Sequence, residues 1–220
     1  MAITNQEFAV IGLGRFGASL ALELTRRGHT VLGIDTDALL VQEYADDLSQ
    51  TVAMDASRED ALQAVEIATI DTVVVAIGTD FESSVLVTVA LKQLGVRQVI
   101  CKAITEQQAE VLRRVGADRV ILPEIEAGEN LAQALATPRL LDSMVMGTGY
   151  SIAEVRVPAR LAGKNLGDSN LRDTLNLVVL AVRSDDTNYL APPHAYVLKA
   201  QDILVVLGPD KAIEKFSRDR

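Results

Sequence analysis

The sequence predicts an α/β protein: a doubly wound parallel sheet followed by a small α+β C-terminal domain. Three observations predict it. Six short apolar segments recur between helical patterns through residues 1–123. Each is apolar on consecutive residues, as a strand buried on both faces must be. The first runs directly into a glycine-rich turn and an amphipathic stretch, FAVIGLGRFGASLALEL (8–24). Beyond about residue 150 the pattern changes, and apolar and polar residues begin to alternate singly.

The strand segments are FAVIGL (8–13), TVLGID (30–35), QTVAM (50–54), TVVVAIG (72–78), QVICKA (98–103) and RVILP (119–123). Between them apolar residues recur at helical spacing, as at Val85 and Val89 or Val111 and Val115. Six such β/α units predict a parallel sheet with helices on both faces. A further helix is expected over about 124–137, ended or kinked by Pro138. Leu140 to Val145 reads as a short helical stretch, and GTGY (147–150) as a linker or turn. The expected domains are therefore 1–137 for nucleotide binding, 138–149 as a helical hinge, and 150–220 as a second domain. In the latter, strands are expected at 150–157, 176–183, 195–198 and 202–208. Helices are expected at 169–175, with Ser169 and Asn170 as cap candidates, and at 209–218, opened by Pro-Asp.

Composition narrows the function classes. Hydrophobic residues are 49% of the 220, enough for a core and too many for disorder. Phe and Tyr number four each and Trp is absent, so Val, Ile, Leu and Ala build that core. No apolar run reaches the ~18 residues of a membrane span, and MAITNQEF shows no secretory signal. Cys101 is the only cysteine, which excludes a disulfide framework and fits a reducing cytoplasm. Residues 1–144 carry a net −10 and residues 145–220 a net +1. So acidic a first domain is a poor partner for nucleic acid or an anionic membrane surface.

Gly12, Gly14 and Gly17 fit the dinucleotide fingerprint: one allows a tight turn, one lets a pyrophosphate approach, one lets helix and strand pack closely. The helix that follows offers free N–H groups and a positive dipole end. Asp35 ends the second strand 18 residues after Gly17, where a carboxylate accepts from ribose hydroxyls. Arg15, inside the phosphate turn, is either solvated or an added cation facing phosphate, its own or a neighbouring subunit's. Further strand ends should face the same crevice. They contribute Asp55-Ala56-Ser57, Ile77-Gly78-Thr79 and Lys102-Ala103. Asp55 is a ligand or a helix N-cap; Lys102 is a phosphate partner or a solvated lysine.

An oxidoreductase needs an acid or base beside the hydride-transfer position. His29 lies in a turn at the far end of the sheet, His194 in the second domain, and Cys101 within a buried strand. Asp80 and Glu82 flank the crevice but suggest no paired acid and base. No metal cluster, nucleophile elbow or Walker-type loop is present, and no enzyme is expected.

VIGLGRFGASLALEL, followed by GHTVLGIDTD, AMDAS, VVAIG, CKA and GADRVILPE, resembles the RCK (regulator of potassium conductance) family. The similarity is to the KtrA/TrkA-type regulatory subunits of potassium uptake systems, an RCK-N followed by an RCK-C domain. It implies a cytoplasmic, non-enzymatic regulator whose dimers assemble into an octameric ring beneath a membrane potassium channel subunit. It implies switching by ATP and ADP. Gly12, Gly14, Arg15 and Gly17 would hold phosphates within a turn completed by Leu13 and Phe16. Asp35 and Asp37, flanking Thr36, would meet the ribose, and Asp55 and Ala56 the adenine. Ile77, Gly78 and Lys102 would complete the crevice. Glu124, of the Pro-Glu pair after the sixth strand, would hold Mg2+, Ca2+ or Na+; its other reading is a helix N-terminal acid favoured by the dipole. Cyclic di-AMP would lie near Asn176, Pro193 and His194. Leu131, Leu135, Leu140, Leu141 and Met144 would pack on a partner or on their own core. The competing reading is an NAD(H)-binding redox sensor or oxidoreductase; Asp35 argues against NADP, whose 2′-phosphate it would repel.

Overall fold

A computed structural model describes residues 5–78, 80–136, 140–146, 149–185, 188–190 and 192–218. The chain forms two compact units, Met1–Ala127 and Gly128–Arg220. The first holds β1 (Glu7–Ile11), α1 (Arg15–Arg26), β2 (Thr30–Asp35), α2 (Ala38–Glu43), β3 (Gln50–Ala53), α3 (Glu59–Ala64), β4 (Thr72–Val75), α4 (Phe81–Gln93), β5 (Gln98–Lys102), α5 (Glu106–Arg114) and β6 (Arg119–Ile121). The α6 helix (Pro123–Ala136) follows.

The six strands form one parallel sheet in the order β3-β2-β1-β4-β5-β6. The chain returns to the middle of the sheet between β3 and β4. The crevice beyond the carboxyl ends of β1 and β4 is therefore the switch point at which such sheets bind ligands. Strand alternation sends Ala9 and Ile11 to one face, with Ile34, Val73, Val75 and Leu91. It sends Val10 to the other, with Leu13, Ala21, Val31 and Ala76. Both faces are thus covered, which explains the continuously apolar strands. Cys101 is fully buried, its Sγ 3.2 Å from Thr88 Oγ1, and burial pushes its thiol pKa up. It is core, as its sequence context suggested.

Helix starts are capped locally. Asp37 accepts from the Leu39 amide and Asp80 from the Ser83 amide. Thr105 accepts from the Gln108 amide while Gln108 accepts from that of Ile104, a reciprocal capping arrangement.

The second unit carries β7 (Leu140–Val145), β8 (Tyr150–Arg156), α7 (Leu171–Leu175), β9 (Val178–Asp185), β10 (Asn188–Leu190), β11 (Ile203–Pro209) and α8 (Asp210–Arg218). Its sheet is antiparallel, in the order β10-β9-β11-β8-β7. Val155, Leu177, Leu204, Ile213 and Phe216 centre its core.

Here several expectations change. Residues 140–145 are a strand rather than a helical hinge, because they pair antiparallel with β8. Leu140 is buried in this unit's own core, whereas Leu131, Leu135, Leu141 and Met144 are exposed. The strand expected at 195–198 is reduced to an isolated bridge between Val197 and Asn165, with Tyr196 and Leu198 bonding to backbone at 163–166. Asn170 precedes α7 in a left-handed conformation with no capping bond from its side chain, and the Ser169 hydroxyl donates backwards to the Leu166 carbonyl. Thr79, Pro138, Gly147 and Thr148 lie outside the described residues. Among the described residues, no helix is long and apolar enough to cross a membrane.

Candidate functional site

The glycine turn is the centre of the crevice. β1 ends where Gly12 takes φ +97°, a left-handed conformation costly for other residues, while its N–H donates to the Ile34 carbonyl at 2.7 Å. A Cβ on Gly17 would lie 1.8 Å from the Gly12 carbonyl oxygen, so only glycine lets α1 pack this closely on the turn. Gly14 is the N-cap of α1, and a Cβ there would meet nothing within 4 Å. Its bare backbone and the free N–H groups of the first helical turn make an anion site.

Asp35 ties this turn to the next. Its Oδ2 accepts from the Leu13 amide at 2.6 Å and its Oδ1 from the Asp37 amide at 2.9 Å. The carboxylate is therefore fixed at the mouth of the glycine turn before any ribose arrives.

Around this turn lies a crevice of ≈ 1060 Å³, large enough for a nucleotide. Gly12, Gly14, Arg15 and Phe16 line it from the turn and α1. Asp35, Thr36, Asp55 and Ala56 line the side formed by β2 and β3. Ile77, Gly78, Lys102 and Glu124 line the opposite side. Leu13, Gly17 and Asp37 do not face it. The Leu13 side chain is buried in the core, Gly17 is buried beneath the turn, and Asp37 caps α2. Asp55 does not cap a helix: it closes a local turn, accepting from the Ser57 amide and hydroxyl. Those bonds hold its carboxyl below the usual range, as bonds from Ser83 do for Asp80.

Further lining residues went unnoticed in the sequence: Ser19, Leu40, Met54, Ser83 and Ile104. Met54 and Ile104 lie just beyond strand ends, where the rule that located Asp55 and Lys102 also applies. Ser19 lies one helical turn beyond Arg15 and carried no signal of its own.

Lys102 is not solvated. Its Nζ lies 2.7 Å from Glu124 Oε1 and 5.6 Å from the Phe16 ring centroid. That bond, with help from Glu124's own amide and the Arg15 charge, holds the Glu124 carboxyl below its ordinary range. Among the described residues, no three His, Cys, Asp or Glu side chains group to hold a metal. In the second unit, the His194 carbonyl accepts from the Gly167 amide, Pro193 closes the turn to Tyr196, and Asn176 ends α7 with φ 54°.

Comparison with known proteins agrees with this architecture. The TrkA-N domain family matches residues 8–123 and the TrkA-C domain family residues 152–219. The chain is 36% identical over 217 residues to Ktr system potassium uptake protein A of Bacillus subtilis, covering 99% of this chain and 98% of that one. The GsuK channel bound to NAD shares the fold, with a TM-score of 0.66 at 18% identity over 100% of this chain and 40% of that one. GsuK bound to ADP superposes with a TM-score of 0.54 at 14% identity over 62% and 36%. A TrkA-N domain followed by a TrkA-C domain, on this fold and at this identity, places the chain in the RCK family of Ktr/TrkA-type potassium transport proteins.

Proposed function

We propose that this protein is a cytoplasmic, non-catalytic gating subunit of a Ktr-type potassium uptake system, switched by ATP and ADP. The observation that carries this reading is the placement of two cations, Arg15 and the Glu124-paired Lys102, beside an open glycine turn with Asp35 fixed at its mouth, while the other carboxylates of the crevice, Asp55 and Asp80, are held by Ser57 and Ser83. Cations beyond the turn suit a terminal phosphate better than a nicotinamide riboside, which is neutral when reduced and positively charged when oxidised. Dimers assemble into an octameric ring on a membrane channel subunit, and the exposed Leu131, Leu135, Leu141 and Met144 supply apolar surface for assembly. Asp35 and Thr36 take the ribose, Asp55 and Ala56 the adenine end, and Gly12, Gly14 and Arg15 the phosphates.

A cation fits beside Glu124. One exposed carboxylate plus phosphate oxygens and water is a donor set that suits Mg2+, and less selectively Ca2+ or Na+. In the TrkA-C domain, cyclic di-AMP near Asn176, Pro193 and His194 is a second regulatory input suggested by the family resemblance.

A nucleotide shifts a two-state ring only by its difference in affinity for the two states. Arg15 is the group best placed to feel the terminal phosphate. Arg15→Ala should therefore lower the ATP-to-ADP affinity ratio, measured by calorimetry, by about 10- to 100-fold, matching a lost charge-assisted contact of roughly 1.5–3 kcal/mol. It should also blunt nucleotide-dependent potassium flux with the reconstituted channel. An unchanged ratio assigns discrimination elsewhere. The second reading is NAD(H) sensing, favoured by the dinucleotide-type glycine turn with Asp35 at the end of β2; NADH binding with no response to ATP would establish it instead.

A further inference from the structure

The pair Lys102–Glu124 is unequal in a way that matters for ligand entry. The lysine side chain is 10% exposed and the glutamate 60%. The ammonium stands near the Phe16 ring in the first turn of α1, and a Cβ on Gly78 would come within 3.6 Å of it. It is therefore held between the glycine turn and the residues just beyond β4, within the crevice that both line. A cation this enclosed needs an anionic partner, because unpaired burial is costly. Glu124 is that partner. The glutamate, 60% exposed, can turn into water at little cost, while the lysine, 10% exposed, is far more enclosed. An exchange of partners therefore proceeds by departure of Glu124.

Resting on the reading of this crevice as an adenine-nucleotide site, we infer that Glu124 is an internal competitor for the terminal phosphate. It occupies Lys102 until a phosphate chain long enough to reach that ammonium displaces it. A shorter nucleotide leaves the pair intact. Phosphate length is thereby converted into the state of a carboxylate in the first turn of α6. Glu124 also makes the site discriminate less between the long and the short nucleotide than Lys102 alone would, since only the long one must break the pair.

The test is a double-mutant cycle on the full chain, with a chelator present so that no divalent cation contributes. ATP and ADP affinities are measured by calorimetry for the wild type, Glu124→Gln, Lys102→Met and the double variant. Thermal unfolding confirms that each is folded, and Lys102→Gln replaces Lys102→Met if the latter aggregates. Glu124→Gln should tighten ATP roughly three- to tenfold and change ADP less than twofold. With Lys102 replaced, the same Glu124 substitution should change ATP affinity less than twofold. An equal gain in both backgrounds would show that Glu124 simply repels phosphate and would overturn the inference, as would no gain at all. Wild-type protein that binds no ATP would refute the nucleotide reading itself, before any variant is compared, and the inference would fall with it.

Discussion

Gly14 and Gly17 lie three residues apart and answer to different demands. Gly17 is required by the fold, since a methyl group there would meet the Gly12 carbonyl oxygen at 1.8 Å and backbone would have to move. Gly14 has an ordinary φ of −67° and open space at its Cβ position. Gly17→Ala should therefore destabilise the protein by on the order of 3 kcal/mol or more, read from the urea midpoint. Gly14→Ala should change stability by no more than about 1 kcal/mol yet weaken nucleotide binding at least tenfold, because its methyl group fills the phosphate approach. A large stability loss at Gly14 would mean the turn is held by packing rather than kept open for a ligand. Both glycines and Asp35 were legible in the sequence, because spacing within one strand–turn–helix unit announces them. The partner of Lys102 was not legible. It comes from the start of α6, 22 positions later, and only the pairing of β5 with β6 brings the two together.

At the scale of elements, the parallel sheet was legible almost strand by strand, since burial on both faces writes each strand as an unbroken apolar run. The second unit was less so. LLDSMV (140–145) is as compatible with a short helix as with a strand, and antiparallel pairing to β8 decides it. β10 is three residues long and is defined only by pairing with β9, so no local pattern marks it. Helix starts are written locally, yet the sequence cue misleads at Ser169 and Asn170, neither of which caps α7, and the cap of α5 drew no notice. α5 opens on Thr105-Glu106-Gln107-Gln108, with both side-chain bonds of the capping arrangement formed. Thr105→Ala should cost about 1 kcal/mol of stability, and Thr105→Ser should recover most of it. Equal loss in both variants would assign the effect to the threonine methyl group rather than to the cap.

For the whole molecule, every residue that lines the crevice belongs to the first compact unit, from Ile11 to Glu124. The second unit has a separate core around Val155, Leu204 and Phe216. A ligand that binds only the folded first unit stabilises that unit by RT ln(1 + [L]/Kd), about 2.7 kcal/mol at a hundredfold excess over Kd. For a unit of this size that raises its unfolding midpoint by on the order of 10 °C. Scanning calorimetry of the full chain should show two transitions, with saturating nucleotide moving only the one assigned to the parallel sheet. Hydrogen exchange supplies the assignment: amides of β1 and β4 follow the shifted transition, and those of β8 and β11 the unshifted one. A single transition that moves as a whole would mean that binding free energy gained at the glycine turn is shared with the TrkA-C domain.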